Sequence, residues 1–426
     1  MLLSTSRRHP LTVVLTVLTA VLLLAMAAGP AVASAASDAQ IVRLVEHPDG
    51  RMEVVTGTRF ASLEGRVVAK EADVLLYTTG LLDGLIDTVT GLANDTMRRD
   101  QWNLDAVQAE ASWSRASGAG QVIAIIDSGV DGAHQDLRDR LVPGYSALGG
   151  NPLVDGLGHG THVAGTAAAT AGNGFGVAGL AHAASIMPVQ VTDSDGSAFA
   201  SDVAEGLIWA VDNGATVANL SLAGTRESAV LSGAIDYAVT RGVVVVVAAG
   251  NEFQRGNPVT YPAAHPQVIA VAAMRDASTR SAFSSTGDFV DIAAPGSSIL
   301  STRPNQTFGY ASGTSMAAPL VAGATALLRS ANPSMTVSEI RGLLLDNARD
   351  TGPAGWDAEY GHGMLDIMAA LEQITATPTP APVPDIPEVE EVLSTPAVVP
   401  TAPAEPESSL LSRVDGLFST ERLSNR

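Results

Sequence analysis

Between about Asp95 and Glu372, hydrophobic residues recur in two alternating kinds of segment. Short runs rich in β-branched residues, typical of buried strands, are QVIAIID, SIMPVQV, TVANLSL, GVVVVVAAG and QVIAVAA. Longer stretches with helical spacing are interspersed with them, namely HVAGTAAAT, DVAEGLIWAVDNG, SAVLSGAIDYAVTRG and TVSEIRGLLLDNA. Continuously apolar strands that alternate with helices indicate a mostly parallel sheet covered by helices on both faces. We therefore predict an α/β fold with its functional site at the carboxyl ends of the strands.

The first 35 residues follow a different pattern. Arg7 and Arg8 precede the apolar run LTVVLTVLTAVLLLAMAAG, which is followed by the small residues AVASAAS. A basic start, an apolar core and A-x-A sites are typical of a secretory signal peptide, to which we assign residues 1–35. The alternative is an uncleaved membrane anchor, because the run is nearly long enough to span a bilayer. The small residues at its end favour cleavage.

Two further segments flank the regular α/β pattern. Residues 36–94 contain a strand-like piece, MEVVTGTRF, and a helical piece, LLDGLIDTVTGL, but no catalytic constellation, which indicates a pro-segment or accessory piece. Processing is then expected to leave a mature N-terminus between about Leu85 and Asp100. Residues 376–426 are rich in Pro, Thr and acidic residues, a composition typical of an extended linker and tail. The α/β domain is accordingly predicted at residues 95–375.

Composition narrows the possible functions. The chain has 426 residues, a formal net charge of −20 and no cysteine. The lack of cysteine excludes disulfides, thiolate catalysis and Cys-ligated zinc. The strong negative charge argues against a nucleic-acid partner, and it suits a soluble secreted protein or cation binding.

Four polar residues stand at element boundaries where a packed core would not select them. They are Asp127 after QVIAII, His159 between two glycines at a helix start, Asn251 after VVVVVAAG, and Ser315 in GTSMAAP at the start of an apolar helix. Acyl transfer requires such a set: a hydroxyl nucleophile, an imidazole base, a carboxylate that holds the imidazole tautomer, and a donor for the oxyanion. Taken alone, Ser315 also fits a helix-capping role.

Four motifs, in this order along the chain, resemble the subtilisin-like serine protease family, the subtilases. They are DSGVDGAHQDL, GHGTHVAGT, AAGNE and GTSMAAP. The order Asp, His, Ser is that of subtilisin and differs from that of the α/β-hydrolases. The resemblance implies a three-layer subtilisin-like catalytic domain in which Asp127, His159 and Ser315 form a triad. It also implies that Asn251 and the Ser315 backbone N–H donate to the oxyanion.

The resemblance also implies a substrate cleft. SLAG, comprising Ser221, Leu222, Ala223 and Gly224, resembles the segment that pairs with the substrate backbone as an added strand. Ala248, Ala249 and Gly250 would form a wall of the primary specificity pocket. Thr260 would lie at the base of that pocket, where the family often has glycine. A side chain there should shorten the pocket, so we expect cleavage after medium apolar residues such as Leu or Met.

Structural calcium is a further expectation from the resemblance. Asp136 in HQDL and Asn173 in TAGNGFGV match calcium-ligand positions of the family, and NDTMRRDQW resembles the N-terminal stretch of thermitase-like members, making Asp95 a third oxygen ligand. Oxygen ligands of this kind suit calcium. The alternative is that these are ordinary turn residues. His162, three residues after His159, belongs to the family motif and lacks the glutamate of zinc proteases. Asp155 is expected to support the histidine turn.

Together these features predict a secreted, monomeric, calcium-stabilised serine endopeptidase that acts on proteins or peptides. No organic cofactor, nucleic-acid partner or stable membrane insertion after signal cleavage is expected. Two alternatives remain: a catalytically idle subtilase-fold binding protein, and a secreted serine esterase. The SLAG edge suits an extended peptide better than a small ester.

Overall fold

The computed structural model describes residues 41–56, 65–79 and 95–376. The predicted signal peptide, the helical piece LLDGLIDTVTGL and the C-terminal linker and tail lie outside the described residues. Among the described residues, no helix combines the length and apolar character needed to cross a bilayer.

The described strands are numbered in chain order. They are β1 (Ile41–Glu46), β2 (Met52–Thr56), β3 (Arg66–Ala72), β4 (Leu75–Thr78), β5 (Val122–Asp127), β6 (Tyr145–Ser146), β7 (Ser185–Gln190), β8 (Ser197–Phe199), β9 (Val217–Leu220), β10 (Leu222–Ala223), β11 (Val244–Ala248), β12 (Ile269–Met274), β13 (Ile292–Pro295), β14 (Ile299–Arg303) and β15 (Thr307–Ala311).

The described α-helices are numbered in the same way. They are α1 (Trp102–Ala106), α2 (Ala109–Trp113), α3 (His159–Ala168), α4 (Ala200–Asp212), α5 (Ala229–Thr240), α6 (Thr314–Ala331), α7 (Val337–Asp346) and α8 (Ile367–Ala376). Short 3₁₀ helices cover Asp95–Asp100, Arg138–Arg140 and Phe253–Arg255.

Seven parallel strands form the central sheet, in the order β13-β12-β11-β9-β5-β7-β6. Alternate residues of each strand point to opposite faces. In β5, Ile123 and Ile125 pack into the cluster that contains α3 and α6, whereas Ala124 and Ile126 pack into the cluster that contains α4 and α5. The sheet is therefore buried on both sides, and the predicted three-layer α/β fold is confirmed.

Helix α6 is buried around its whole circumference. Every residue from Thr314 to Arg329 is buried, which explains why the sequence has no polar stripe. The helix packs on β11, β12 and α3 and begins at the edge where the parallel strands end. Ser315, its second residue, is thereby fixed at the buried start of this helix.

An antiparallel sheet of three strands, in the order β2-β1-β3, covers the outer side of α4 and α5. Val42 and Leu44 of β1 are fully buried against these helices. The approach is close: a Cβ added to Gly233 in α5 would lie 2.4 Å from Leu44 Cδ2. The strand-like piece near residue 52 begins with β2, and β1–β3 form a small sheet docked on α4 and α5.

Two carboxylates at the end of this sheet cap the helices beneath it. Glu71 accepts hydrogen bonds from the N–H groups of Ala229 and Val230, at 2.8 and 3.0 Å, where α5 begins. Asp73 accepts a 3.0 Å bond from the Ser201 N–H, and another from its hydroxyl, where α4 begins. Negative charge at a helix N-terminus is stabilising because the first N–H groups lack partners within the helix.

Strand β4 follows this sheet and lies in a groove between two short strands, β8 and β10. It pairs antiparallel with β8 on one side and with β10 on the other, forming a second three-stranded sheet. The described segment ends at Thr79. β4 thus brings the residues before Thr79 to the carboxyl ends of the central strands.

Candidate active site

Asp127 and His159 meet at the carboxyl edge of the sheet. Asp127 is the last residue of β5 and is fully buried, and His159 is the first residue of α3. His159 Nδ1 lies 2.7 Å from Asp127 Oδ1, which also accepts a 2.8 Å bond from the Ser128 N–H. The carboxylate therefore holds a proton on Nδ1 and leaves Nε2 as the basic nitrogen.

The turn before α3 is organised by Asp155. Its Oδ1 accepts bonds from the Gly158 N–H at 2.7 Å and from the Ser128 hydroxyl at 2.8 Å. Its Oδ2 accepts bonds from the N–H and hydroxyl of Thr161 at 2.8 and 2.6 Å. Asp155 thus fixes both sides of His159 without contacting it as a hydrogen-bond partner, which is the supporting position expected from the sequence.

Ser315 lies at the start of α6, and its hydroxyl is turned towards a neighbouring backbone. Ser315 Oγ donates to the Ser221 carbonyl at 2.9 Å. His159 Nε2 is buried and has no hydrogen-bond partner among the described residues. The structure therefore brings these residues to one edge without a hydrogen bond between Ser315 and His159.

Pro319 explains why Ser221 is needed beside Ser315. A proline has no N–H, so the Ser315 carbonyl loses the partner that a helix would ordinarily supply four residues later. The Ser221 hydroxyl takes that place and donates to the Ser315 carbonyl at 3.1 Å. Ser221 and Ser315 are thus joined by two reciprocal hydrogen bonds.

The carbonyl of Thr79 lies between two donors. Asn251 Nδ2 donates to it at 2.7 Å, and the Ser315 N–H donates to it at 3.2 Å. The Asn251 amide is itself held in place, because its Oδ1 accepts bonds from the N–H and hydroxyl of Thr314, both at 3.0 Å. The two groups expected to stabilise an oxyanion therefore converge on a peptide carbonyl.

The SLAG segment pairs with β4 as an edge strand. Leu222 is opposite Thr78, and Ala223 is opposite Tyr77. The Ser221 carbonyl accepts a 3.1 Å bond from the Thr79 N–H. Gly224 does not pair with β4; it exchanges two 2.8 Å backbone bonds with Tyr261, next to the pocket residue Thr260. The extra methyl of Ala223 still leaves the cleft open to an extended chain.

Thr260 lies against the wall formed by Ala248, Ala249 and Gly250. Its hydroxyl donates to the Ala249 carbonyl at 2.6 Å. A Cβ added to Gly250 would lie 2.8 Å from Thr260 Cγ2, so the methyl of Thr260 rests directly on Gly250. The Thr260 side chain therefore fills space beside the wall, and its hydroxyl proton is committed to the Ala249 carbonyl.

The residues expected to bind calcium are brought together in part. Asp136 is fully buried, and its Oδ1 lies 2.7 Å from Asn173 Nδ2, while its Oδ2 accepts a 3.0 Å bond from the Val177 N–H. Asn173 Oδ1 accepts a 2.8 Å bond from the Phe175 N–H. The side chain of Asp95 lies outside the described residues. No three acidic or histidine side chains converge within the described ranges, so a cation here would depend on amide and backbone carbonyl oxygens.

His162 is a structural residue. It is fully buried, and its Nε2 lies 2.9 Å from the Ile299 carbonyl and 3.2 Å from the Gly309 carbonyl, both in the hairpin β14–β15. Burial, aided by the positive charge of Arg303, lowers the pKa of His162 to about 3. The imidazole is therefore neutral and pins this hairpin to α3.

Three residues of the site have no counterpart in the sequence-based expectations. Thr79 places its carbonyl between the two donors, Thr314 orients Asn251, and buried Gln101 holds the loop after α3 through two bonds, of 2.8 and 2.9 Å, to Ala178. Only Thr79 has a signal in the sequence: the β-branched and apolar run VLLYTT ends abruptly at Gly80. The other two depend on contacts between distant parts of the chain.

Comparisons with known proteins agree on one family. Residues 118–363 match the family model described as "Subtilase family". Subtilisin from Bacillus pumilus is 41% identical over 274 residues, covering 64% of this chain and 98% of that protein. Subtilisin E from Bacillus subtilis (strain 168) is 40% identical over 284 residues, covering 66% of this chain and 74% of the relative. The crystal structure of fervidolysin from Fervidobacterium pennivorans, described as a keratinolytic enzyme related to subtilisin, superposes with a TM-score of 0.67 at 30% identity, covering 78% of this chain and 61% of that one.

Proposed function

Because the chain belongs to the subtilase family of serine endopeptidases, we propose that Asp127, His159 and Ser315 are its catalytic triad. The 2.7 Å contact between Asp127 and His159 Nδ1 supports this assignment. In the reaction, His159 Nε2 removes the Ser315 proton, Ser315 Oγ attacks the peptide carbonyl, and His159 passes the proton to the leaving amine. Water then hydrolyses the acyl-enzyme: His159 removes a proton from the water and passes it to Ser315 Oγ as the acyl group leaves.

The observation that carries the proposal is the position of the Thr79 carbonyl. It accepts hydrogen bonds from Asn251 Nδ2 and the Ser315 N–H, at 2.7 and 3.2 Å, while the residues before it run as a strand through the cleft. These two donors would stabilise the negative charge that develops on a carbonyl oxygen during attack. A paired strand favours an extended peptide as substrate over the small ester of the esterase alternative.

We further propose that residues 36–79 are an inhibitory pro-segment and that the first bond cleaved is the one between Thr79 and Gly80. β1–β3 dock on α4 and α5, Glu71 and Asp73 cap those helices, and β4 occupies the cleft. This bond lies upstream of the window from Leu85 to Asp100 that the sequence suggested. N-terminal sequencing of the processed enzyme tests it: Gly80 is expected, and a first cut downstream of Leu85 would contradict it.

The occupant of the cleft also revises the expected specificity. Thr79 is the residue before the proposed cut, and Thr260 fills space beside Gly250. We therefore propose that the primary pocket favours small and β-branched residues such as Thr, Val and Ala over the Leu and Met expected from the sequence. Removing one methylene from a hydrophobic pocket changes discrimination by about 1–3 kcal/mol.

Calcium is proposed as a structural ion held by Asp136 and Asn173. The buried Asp136 carboxylate beside a loop amide suits a hard cation. Binding requires the Asn173 amide to turn its oxygen towards the ion, in place of the Nδ2 that now faces Asp136. The ion would stabilise the loop after α3 and take no part in peptide hydrolysis. Asp95 remains a proposed third ligand.

We propose that the enzyme acts as a secreted monomer on proteins or peptides, with no organic cofactor and no nucleic-acid partner. The signal-peptide pattern of residues 1–35 and the net charge of −20 support an extracellular location.

The decisive experiment combines labelling with a matched variant. A fluorophosphonate probe is expected to modify Ser315 of the processed enzyme, and Ser315→Ala is expected to abolish labelling, casein hydrolysis and release of the pro-segment while the fold persists. Parallel assays on denatured casein and a short-chain ester separate the alternatives. Ester hydrolysis without proteolysis would favour the esterase, and a folded parent chain that neither labels nor cleaves would favour the idle binding protein.

A further inference from the structure

The hydroxyl of Ser315 is committed to partners other than the base. A serine hydroxyl has one proton and two lone pairs. The proton is donated to the Ser221 carbonyl at 2.9 Å, and Thr79 Oγ1 lies 2.7 Å from Ser315 Oγ. Because the serine proton is already used, the Thr79 hydroxyl is the donor in this second bond. All three groups are buried.

This arrangement differs from the one that attack requires. For the reaction, the Ser315 proton must point at His159 Nε2, and a lone pair of Ser315 Oγ must face the Thr79 carbonyl carbon. Here the proton points at Ser221, and a lone pair receives the Thr79 hydroxyl proton. Rotation of the Ser315 side chain towards His159 therefore breaks two buried hydrogen bonds before any chemistry takes place.

We propose that the side-chain hydroxyl of Thr79 restrains the nucleophile and slows cleavage of the chain's own pro-segment. This inference rests on the proposed protease function of the same site. The backbone of Thr79 supplies the carbonyl that is attacked, while its side chain holds the attacking oxygen in a resting position. The pro-segment is thereby bound as a substrate and turned over slowly, which prolongs inhibition after synthesis.

The reaction itself is unchanged by the restraint. The Ser315 Oγ–carbon bond forms, the bond between Thr79 and Gly80 breaks, and the serine proton passes through His159 to the new Gly80 amine. The restraint acts on the step before attack, so it should apply to any substrate whose residue before the cleaved bond carries a hydroxyl in this position. Peptides ending in Thr before the cut should bind as well as their Val analogues and react more slowly.

The isosteric pair Thr and Val tests the inference. In the full chain, Thr79→Val keeps the shape and removes the hydroxyl, whereas Thr79→Ser keeps the hydroxyl. Thr79→Val is expected to self-cleave about two- to tenfold faster than the parent, the rate equivalent of one net hydrogen bond, and Thr79→Ser is expected to stay slow. Thr78→Val is the control, because it removes a hydroxyl from the neighbouring residue of the same strand. The inference requires that Thr79→Val increase the rate of self-cleavage more than Thr78→Val does.

Peptides provide a second readout on the processed enzyme. Two fluorogenic peptides, with Leu-Tyr-Thr-Thr and Leu-Tyr-Thr-Val before the cleaved bond, copy residues 76–79 and their isostere. A higher kcat for the Val peptide at similar KM is expected. Equal or faster turnover of the Thr peptide, together with equal or slower self-cleavage of Thr79→Val, would overturn the restraint while leaving the protease function intact. No Ser315-dependent cleavage of either peptide or of casein would overturn both proposals.

Discussion

Replacement of Asn251 by Ala tests the most specific feature of the proposed mechanism. Asn251 Nδ2 supplies the shorter of the two bonds to the Thr79 carbonyl, 2.7 Å against 3.2 Å for the Ser315 N–H. Its amide is held in this orientation by Thr314, which donates twice to Oδ1. Asn251→Ala removes this donor and leaves the backbone donor in place.

The expected loss is much larger than that of an ordinary hydrogen bond. A neutral hydrogen bond to the ground-state carbonyl contributes about 0.5–1.5 kcal/mol net. The charge on the oxygen in the transition state, in a buried site, raises the contribution of a fixed donor to about 2.7–4 kcal/mol, so kcat should fall by about 10²–10³. That range was itself measured in subtilisin and is carried over by family membership. KM should change little, since most of the stabilisation arises only in the transition state.

Steady-state kinetics on a fluorogenic peptide, with thermal unfolding as a check of folding, provide the assay. Asn213→Ala is the matched control: it makes the same change at an exposed residue just after the C-terminal end of α4, where the side-chain amide donates to the Trp209 carbonyl. A folded Asn251→Ala enzyme with kcat reduced less than about tenfold would refute the reasoning. An increase in KM at constant kcat would likewise show that Asn251 binds substrate and transition state equally.

Three further predictions concern the pocket, the calcium site and the pro-segment interface. Thr260→Gly should raise kcat/KM for peptides with Leu or Phe before the cut by about tenfold or more relative to Val; an unchanged peptide-library profile would place Thr260 outside the pocket. Calcium at a hundredfold excess over its dissociation constant should stabilise the parent by about 2.7 kcal/mol, and Asp136→Asn should abolish this shift of the unfolding midpoint; identical midpoints of the parent with calcium and with chelator would exclude the site. Burial and the nearby carboxylates of Asp73 and Glu205 raise the pKa of Asp202 from 3.8 to about 6. A raised pKa in the folded form means that its contribution to stability is present at low pH and lost as pH rises through about 6. The test compares the unprocessed Ser315→Ala chain with the same chain carrying Asp202→Asn as well. Between about pH 4 and pH 6.5, the unfolding midpoint of the chain that keeps Asp202 should fall relative to that of the double variant. Parallel curves of midpoint against pH would contradict this assignment.

The sequence by itself was sufficient for the fold class and for the family. Runs such as VVVVVAAG indicate a strand that is buried on both faces, because such a strand needs apolar residues at every position. Asp127 and Asn251 stand where two such runs end, and parallel strands bring those ends to one edge. Family motifs then predicted the roles of Ser315 and His159, and family membership is confirmed by the match over residues 118–363.

Only the tertiary structure decided what occupies the cleft and how Ser315 is held. Thr79 and Ser315 are separated by 236 positions, and Thr79 and Asn251 by 172. No local periodicity relates residues so far apart. Their meeting depends on β1–β3 docking on α4 and α5, which sets where β4 leaves that sheet. The Ser221 hydroxyl that replaces the missing Pro319 donor is a similar case. Periodicity and motifs indicate which residues of each segment are buried or exposed. The pairing of polar groups from different segments is instead fixed by how whole helices and strands pack, and the order of residues within one segment does not specify that packing.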